Sequence, residues 1–305
     1  MIPSLTVGMS GRYKFVKKKL STSEVVQELE FPNVITNTGL DRWGVGAIGN
    51  VCKLGAGNTP PSENDTGLAS PLITTSATQS LPNFRAYSVA ERWTECTRIF
   101  RFAPGVAVNS IAEVAIGWNT GIFSRALIRD PNGNPITLQL LADEVLDVYY
   151  TLRMQFPATD ITGTIALNNV DYDWIMRPSE IDSIPGYDTA WFDASFGGSD
   201  AGYFTASLST NPIASVDSSP TGAAFRDSMV ITPYVAGSFT QRITYKFDLN
   251  TGNFGIKAIV VRPCGTSYNT VEWQLGFYQG GVPVGVPKTS SMRLQLTFDF
   301  AWGRA

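Results

Sequence analysis

The chain of 305 residues contains no histidine. That zero removes Ser-His-Asp and Cys-His nucleophilic machinery, histidine acid–base catalysis and histidine-ligated zinc. Cysteine is almost as scarce. Cys52, Cys96 and Cys264 are far apart and odd in number, which excludes a disulfide framework or a Cys-x-x-Cys metal knot and reads as small buried hydrophobes kept reduced. Charge is sparse at 16% of residues, with a net −3 and a pI near 5.1. A nucleic-acid binder draws most of its affinity from phosphate neutralisation and carries a cationic excess, so no nucleic-acid partner is expected. No run of about 18 apolar residues offers a membrane span. The amino terminus, MIPSLTVGMSGRYKF, lacks an apolar stretch after a charged start, so synthesis and folding in a cytoplasm are expected.

What is present is alternation. In 241–249 the residues Ile243, Tyr245, Phe247 and Leu249 fall on one side, with Arg242, Thr244, Lys246 and Asp248 on the other. Met292, Leu294, Leu296, Phe298, Phe300 and Trp302 form a second such row, and Leu146, Val148, Tyr150, Leu152 and Met154 a third. A period of two sets one row against a core and the other toward solvent or a neighbour. Further strands are expected at 25–31, 88–102, 111–118, 161–167, 202–208, 228–235, 255–261 and 271–278. Long amphipathic helices are nearly missing; the best candidate, SEVVQELEF at 23–31, reads equally well as a strand. Hydrophobic content of 43% is enough for real cores, and 28 Gly and 18 Pro are spread along the chain as turns rather than gathered in one linker. The expected fold class is all-β, with antiparallel β-sandwich domains, two in tandem. A weak internal echo supports the pairing of domains: TRIFRF followed by IAEVAIGW (97–118) resembles TYKFDL followed by IKAIVV (244–261). The expected division is an N-terminal β-domain with extended arms at 1–157 and a C-terminal β-domain, a diverged repeat, at 158–305.

The conspicuous stretches each offer a site or a structural device. FSRALIRDPNGNPITLQLL (123–141) resembles a calcium loop, but the sixth and twelfth positions from Asp130 hold Pro135 and Leu141, where glycine and a bidentate carboxylate are required. Asn132-Gly133 instead predicts a two-residue hairpin turn. KLGAGNTPPSENDTG (53–67) is no phosphate loop, because no Lys follows its glycines; it reads as a surface arm. KFVKKKL (14–20) reads as a lysine-guarded edge strand, with contact to an acidic neighbouring subunit as second choice. Asp171 and Asp173 share a face and fall within the roughly 5 to 10 Å range of glycosidase carboxylates, though acidic strand ends are commonplace. GYDTAWFDASFGGSDAGYF (186–204) embeds aromatics in Gly, Ser and Asp, the texture of an exposed binding loop. No catalytic residue is assigned, and neither a metal nor a cofactor is expected.

ELEFPNVITNTGLDRWG (28–44), LGAGNTPPSENDTGLASPL (54–72) and FSRALIRDPNGNPITLQLLADEVLDVYYTLRMQFP (123–157) together resemble structural proteins of tailed bacteriophages, of the tail, baseplate or tail-fibre kind. The resemblance covers the first half of the chain and implies a virion part rather than a catalyst. It implies location in the tail region of a virion after synthesis in the host bacterial cytoplasm. The implied partners are copies of the chain in a trimer or ring, other tail or virion proteins, and a host surface glycan or receptor, without membrane insertion. Alternatives are a capsid decoration or collar protein and a glycan-degrading tail enzyme. The long Gly/Ser/Asn/Pro arms fray when exposed, so neighbouring subunits are expected to pin them.

Overall fold

The structure, a computed structural model, describes residues 4–79, 85–104, 108–181, 192, 204–262 and 272–305. It is almost all β, with 57% strand, 3% helix and no barrel, and its sheets are antiparallel apart from one pairing. One nine-stranded sheet is accompanied by a five-stranded and a seven-stranded sheet and by two two-stranded ribbons. Strand Ser4–Lys19 runs through the middle of the large sheet, antiparallel to Glu144–Gln155 on one side and parallel to Leu294–Arg304 on the other. KFVKKKL therefore lies in an interior strand, also flanked by Val25–Pro32, and not at an edge.

Strands from both sides of residue 157 share this large sheet. Within it and its companions one pairing plan occurs twice, in the same chain order. In the first half Val51–Gly55 pairs with Pro71–Thr75 and Glu113–Trp118, Glu113–Trp118 with Gly121–Leu127, and Trp93–Phe102 with Glu144–Gln155. In the second, Thr205–Ser209 pairs with Ala224–Phe225 and Ala258–Arg262, Ala258–Arg262 with Glu272–Gln279, and Thr240–Phe247 with Leu294–Arg304. Even the small ribbons correspond, Val108–Ile111 with Leu138–Leu140 and Gly255–Ile256 with Val286–Pro287. The echo between 97–118 and 244–261 falls on corresponding strands. Each half thus has a companion sheet of its own, and Ser4–Lys19 joins the two halves of the common sheet.

Alternation does the packing. Leu5, Val7, Met9, Tyr13 and Phe15 point inward with Val148, Tyr150, Leu152 and Met154, and Phe298, Phe300 and Trp302 continue the layer. Gly11 takes the inward position where a Cβ would stand 2.4 Å from the Tyr150 hydroxyl, so the absent side chain makes room for that ring. The Tyr13 hydroxyl in turn hydrogen-bonds Ser124 Oγ at 2.7 Å, tying the large sheet to the five-stranded one. Across the second half the Tyr245 hydroxyl donates to the Arg262 carbonyl at 3.1 Å. Leu249, expected in the inward row, lies past the strand end at Phe247 and is exposed. Cys52 and Cys96 are buried, and burial pushes the Cys52 thiol well up; Cys264 lies outside the described residues.

SEVVQELEF is strand, not helix. The short helix is Asn37–Trp43, inside the Asn-Thr-Gly-Leu-Asp-Arg segment. Thr36 caps it, accepting from Gly39 N at 2.9 Å and donating to the Ile122 carbonyl at 2.9 Å. A Cβ on Gly39 would meet the Phe123 carbonyl oxygen at 2.3 Å, so only glycine lets the helix cross that backbone. Leu40 and Trp43 enter the core, while Asp41 accepts from the Tyr234 hydroxyl at 2.7 Å and Gly237 N at 2.6 Å in the second half.

Candidate functional site

Most of the charged clusters join parts of this fold. Lys14 meets Glu28 at 2.8 Å, Lys18 meets Asp147 at 3.2 Å, and Lys19 meets Asp143 at 2.9 Å. The lysines pair with acids of the same chain, among them Glu144 and Asp147, which are buried. Glu95 is gripped by Arg12 and Arg153, each at 2.7 Å. Burial alone would raise its pKa, but the two guanidinium groups outweigh that and hold the carboxyl below its usual range.

The 53–67 arm is anchored from within. Glu113, fully buried, accepts from the amides of Gly57 at 3.0 Å, Ala69 at 3.1 Å and Ser70 at 2.8 Å. Arg125, also buried, donates to Glu113 at 2.8 Å, to Asp65 at 2.7 Å and to the Thr59 carbonyl at 2.9 Å. Burial pushes Glu113 toward protonation, yet the Ser70 and Ala69 amides and Arg125 prevail and keep it below the usual carboxylate range. The carboxy-terminal Arg304 completes the clamp, meeting Glu63 at 3.1 Å and donating to Asn37 Oδ1 at 2.6 Å. At these contacts the chain holds the arm itself: a buried ion pair supplies the backbone partners that a free arm would draw from water.

The 130–135 stretch is a corner, but with a different turn from the one Asn132-Gly133 predicts. Gly133 N donates to the Asp130 carbonyl at 2.9 Å and Asp130 N to the Asn134 carbonyl at 2.9 Å. Gly133 has φ +84 while Asn132 is absent from the left-handed residues. Pro131 therefore occupies the first central position, where its fixed φ favours a type I turn, and Gly133 supplies the bulge that follows. The Asp130 carboxylate is taken up by the amides of Asn132 at 2.9 Å and Asn134 at 2.8 Å. Among the described residues no group of three His, Cys, Asp or Glu side chains could hold a metal ion.

Asp171 and Asp173 lie on the exposed face of strand Val170–Ser179, opposite Ala166 and Thr164. The cleft in that region is on the other face. There, Ile165, Leu167, Trp174, Ile259, Phe277 and Leu296 enclose an apolar space of about 110 Å³ between the seven-stranded sheet and the start of the last strand. A wetter mouth of about 270 Å³ shares Leu167, Ile256, Val286 and Leu294 with it and adds Asn168, Lys288 and Arg293. Lys288 is buried and donates to the Asp248 carbonyl at 2.7 Å and Asn253 Oδ1 at 3.2 Å, so its ammonium closes a loop. Arg293 stands exposed, 3.3 Å from Asp248. The cleft is bounded by strand Ile161–Leu167, the edge of the seven-stranded sheet. Alternation located that strand correctly; the cleft brings together residues from 165 to 296, and no local pattern announces it.

Of the 186–204 segment only Phe192 and Phe204 fall among the described residues, and both are buried. Phe192 is not an exposed loop aromatic: its ring centroid lies 6.0 Å from that of Tyr150, Arg98 sits 4.9 Å over it, and its carbonyl accepts from Ile48 N at 2.7 Å. No helix among the described residues is long and apolar enough to cross a membrane, which says nothing of spans made by strands. The chain matches no protein-family model, no curated protein and no solved structure.

Proposed function

We propose that this chain is a structural virion protein of a tailed bacteriophage, a tail, baseplate or tail-fibre subunit that works by self-assembly and, through exposed loops, by attachment to the host surface. The observation that carries the reading is the division of labour among its polar groups. Buried and half-buried charges are spent on holding arms and strands to one another, as at Glu113–Arg125 and Glu95 with Arg12 and Arg153, whereas an uncharged sheet edge beside an apolar cleft is left open. Strand edges with free backbone groups suit association. The resemblance of the 28–44, 54–72 and 123–157 segments to tail proteins supports the particle in which this association would occur. The partners in this reading are copies of the chain and other virion proteins. Labelling intact particles with an antibody against the chain tests it: signal at the tail is the expected result. Signal confined to the head would favour a decoration or collar protein, and absence from particles would overturn the proposal.

A further inference from the structure

We infer that the edge strand Ile161–Leu167 pairs with the same strand of a second copy of this chain, antiparallel, about a two-fold axis through Thr164. This deepens the self-assembly reading by naming a surface, and rests on that reading for the presence of a second copy.

Among the described residues this is the longest sheet edge without a charge or a proline, ITGTIAL. The other edges carry the usual guards against pairing. Val25–Pro32 bears Glu28 and Glu30 and ends in Pro32; Pro71–Thr75 opens with proline, and Arg85–Ser88 is four residues long. Ser228–Ile231 is four residues long and follows Arg226 and Asp227. Asp160, just before the open edge, is already engaged between Arg92 at 2.8 Å and Arg177.

The backbone of the edge is presented for pairing. Asn168 and Asn169 both have positive φ, 52 and 61, which makes a two-residue type I′ turn joining Leu167 to Val170. In such a hairpin the closing pair exchanges both hydrogen bonds and every second pair does the same. Leu167, Ile165, Gly163 and Ile161 therefore bond inward to Val170, Tyr172, Trp174 and Met176. The N–H and C=O groups of Thr162, Thr164 and Ala166 face outward.

The side chains are self-complementary in the register this sets. Thr164 meets Thr164 of the second copy, Thr162 meets Ala166, Gly163 meets Ile165 and Ile161 meets Leu167, with about six new backbone hydrogen bonds. Gly163 leaves room for the Trp174 ring, since a Cβ there would stand 2.4 Å from Trp174 Cζ2. The incoming Ile165 would pack beside that ring, an aliphatic side chain covering an edge glycine and its aromatic neighbour. The incoming Ile161 would fall beside Leu167 and roof the apolar cleft that Ile165 and Leu167 line. Asp173 lies one strand further in, so its two images stand about 14 Å apart, beyond the screening length of roughly 8 Å at physiological salt. No like charges oppose the pairing. A ladder of seven residues buries less than the roughly 1,200 Å² of a stable interface, so the dimer is weak in dilute solution and gains strength where copies are already gathered.

Cysteine crosslinking of the full chain tests this directly. At the axis, a hydrogen-bonded pair has its Cα atoms about 5.5 Å apart, within the disulfide range. Thr164→Cys at about 100 µM under mild oxidation is expected to give covalent dimer at least tenfold above the unmodified chain, which carries Cys52, Cys96 and Cys264 as background. Thr162→Cys should give none above background, because its symmetry mate lies about 14 Å away along the strand. Thr164→Lys, on the exposed face, should keep the circular dichroism of the fold and lower the dimer fraction in sedimentation velocity tenfold. Equal crosslinking of the two cysteine variants, or none, overturns the inference, as does an oligomer indifferent to Thr164→Lys. In that last case self-assembly survives through another surface; a chain monomeric in every form, and absent from assembled particles, would defeat both readings.

Discussion

Replacing Arg125 with methionine asks how strongly the 56–70 arm is held by the chain itself. The substitution keeps much of the volume and removes the donors to Glu113, Asp65 and the Thr59 carbonyl. Breaking a buried ion pair at one partner costs about 3–5 kcal/mol, because the other charge is stranded. Glu113 keeps the amides of Gly57, Ala69 and Ser70, so the lower end, about 3 kcal/mol, is expected. With an unfolding entropy of about 2.1 cal/mol/K per residue, a chain of 305 residues would lose about 5 °C in Tm. The loss should also be local, with protease cutting the arm within 56–70 before the sheets open. Urea unfolding and limited proteolysis read the two effects. The double variant with Glu113→Gln should cost less than the sum of the single changes, since the second substitution removes the stranded charge. A Tm within a degree of the parent, with the arm still protected, would refute the reasoning.

Acid should act at the same place. Glu113 has its pKa lowered on folding from an ordinary value of 4.5, so its contribution is complete above that value and is lost as pH falls through the folded one; the Tm-against-pH curve of Glu113→Gln is expected to be flatter on the acid side than that of the parent. Gly39→Ala forces a Cβ to 2.3 Å from the Phe123 carbonyl oxygen and should cost about 3 kcal/mol or more, read by urea unfolding against a neutral surface change. Asp41→Ala removes the acceptor of the Tyr234 hydroxyl and Gly237 N, for a loss of about 1–3 kcal/mol. Because Tyr234 stacks on Trp302 with centroids 5.7 Å apart, a shift in tryptophan fluorescence should accompany that loss.

The strand rows at 146–154, 241–249 and 292–302, apart from Leu249 and Met292, which lie beyond the strand ends and are exposed, the all-β class and the edge strand at 161–167 were legible because they follow from a local rule. A pleated backbone sends successive side chains to opposite faces, so burial is written as alternation over a few residues. The failures share a different cause. KFVKKKL has the composition of an edge guard, yet acids at 28, 143, 144 and 147 neutralise its lysines in the middle of a sheet. The 53–67 arm is the surface loop that its composition predicts, but its anchor, a glutamate 56 positions beyond Gly57 that binds its amides, leaves no local signal. The short helix at Asn37–Trp43 needs Thr36 and Gly39 because of where Phe123 runs, and nothing near residue 37 announces position 123. Sequence alone determined which residues face a core and which types of chemistry lack their reagents. Strand order, the partner of each charge, the cleft and the open edge were decided only by tertiary structure, because each depends on which distant segments the chain brings side by side.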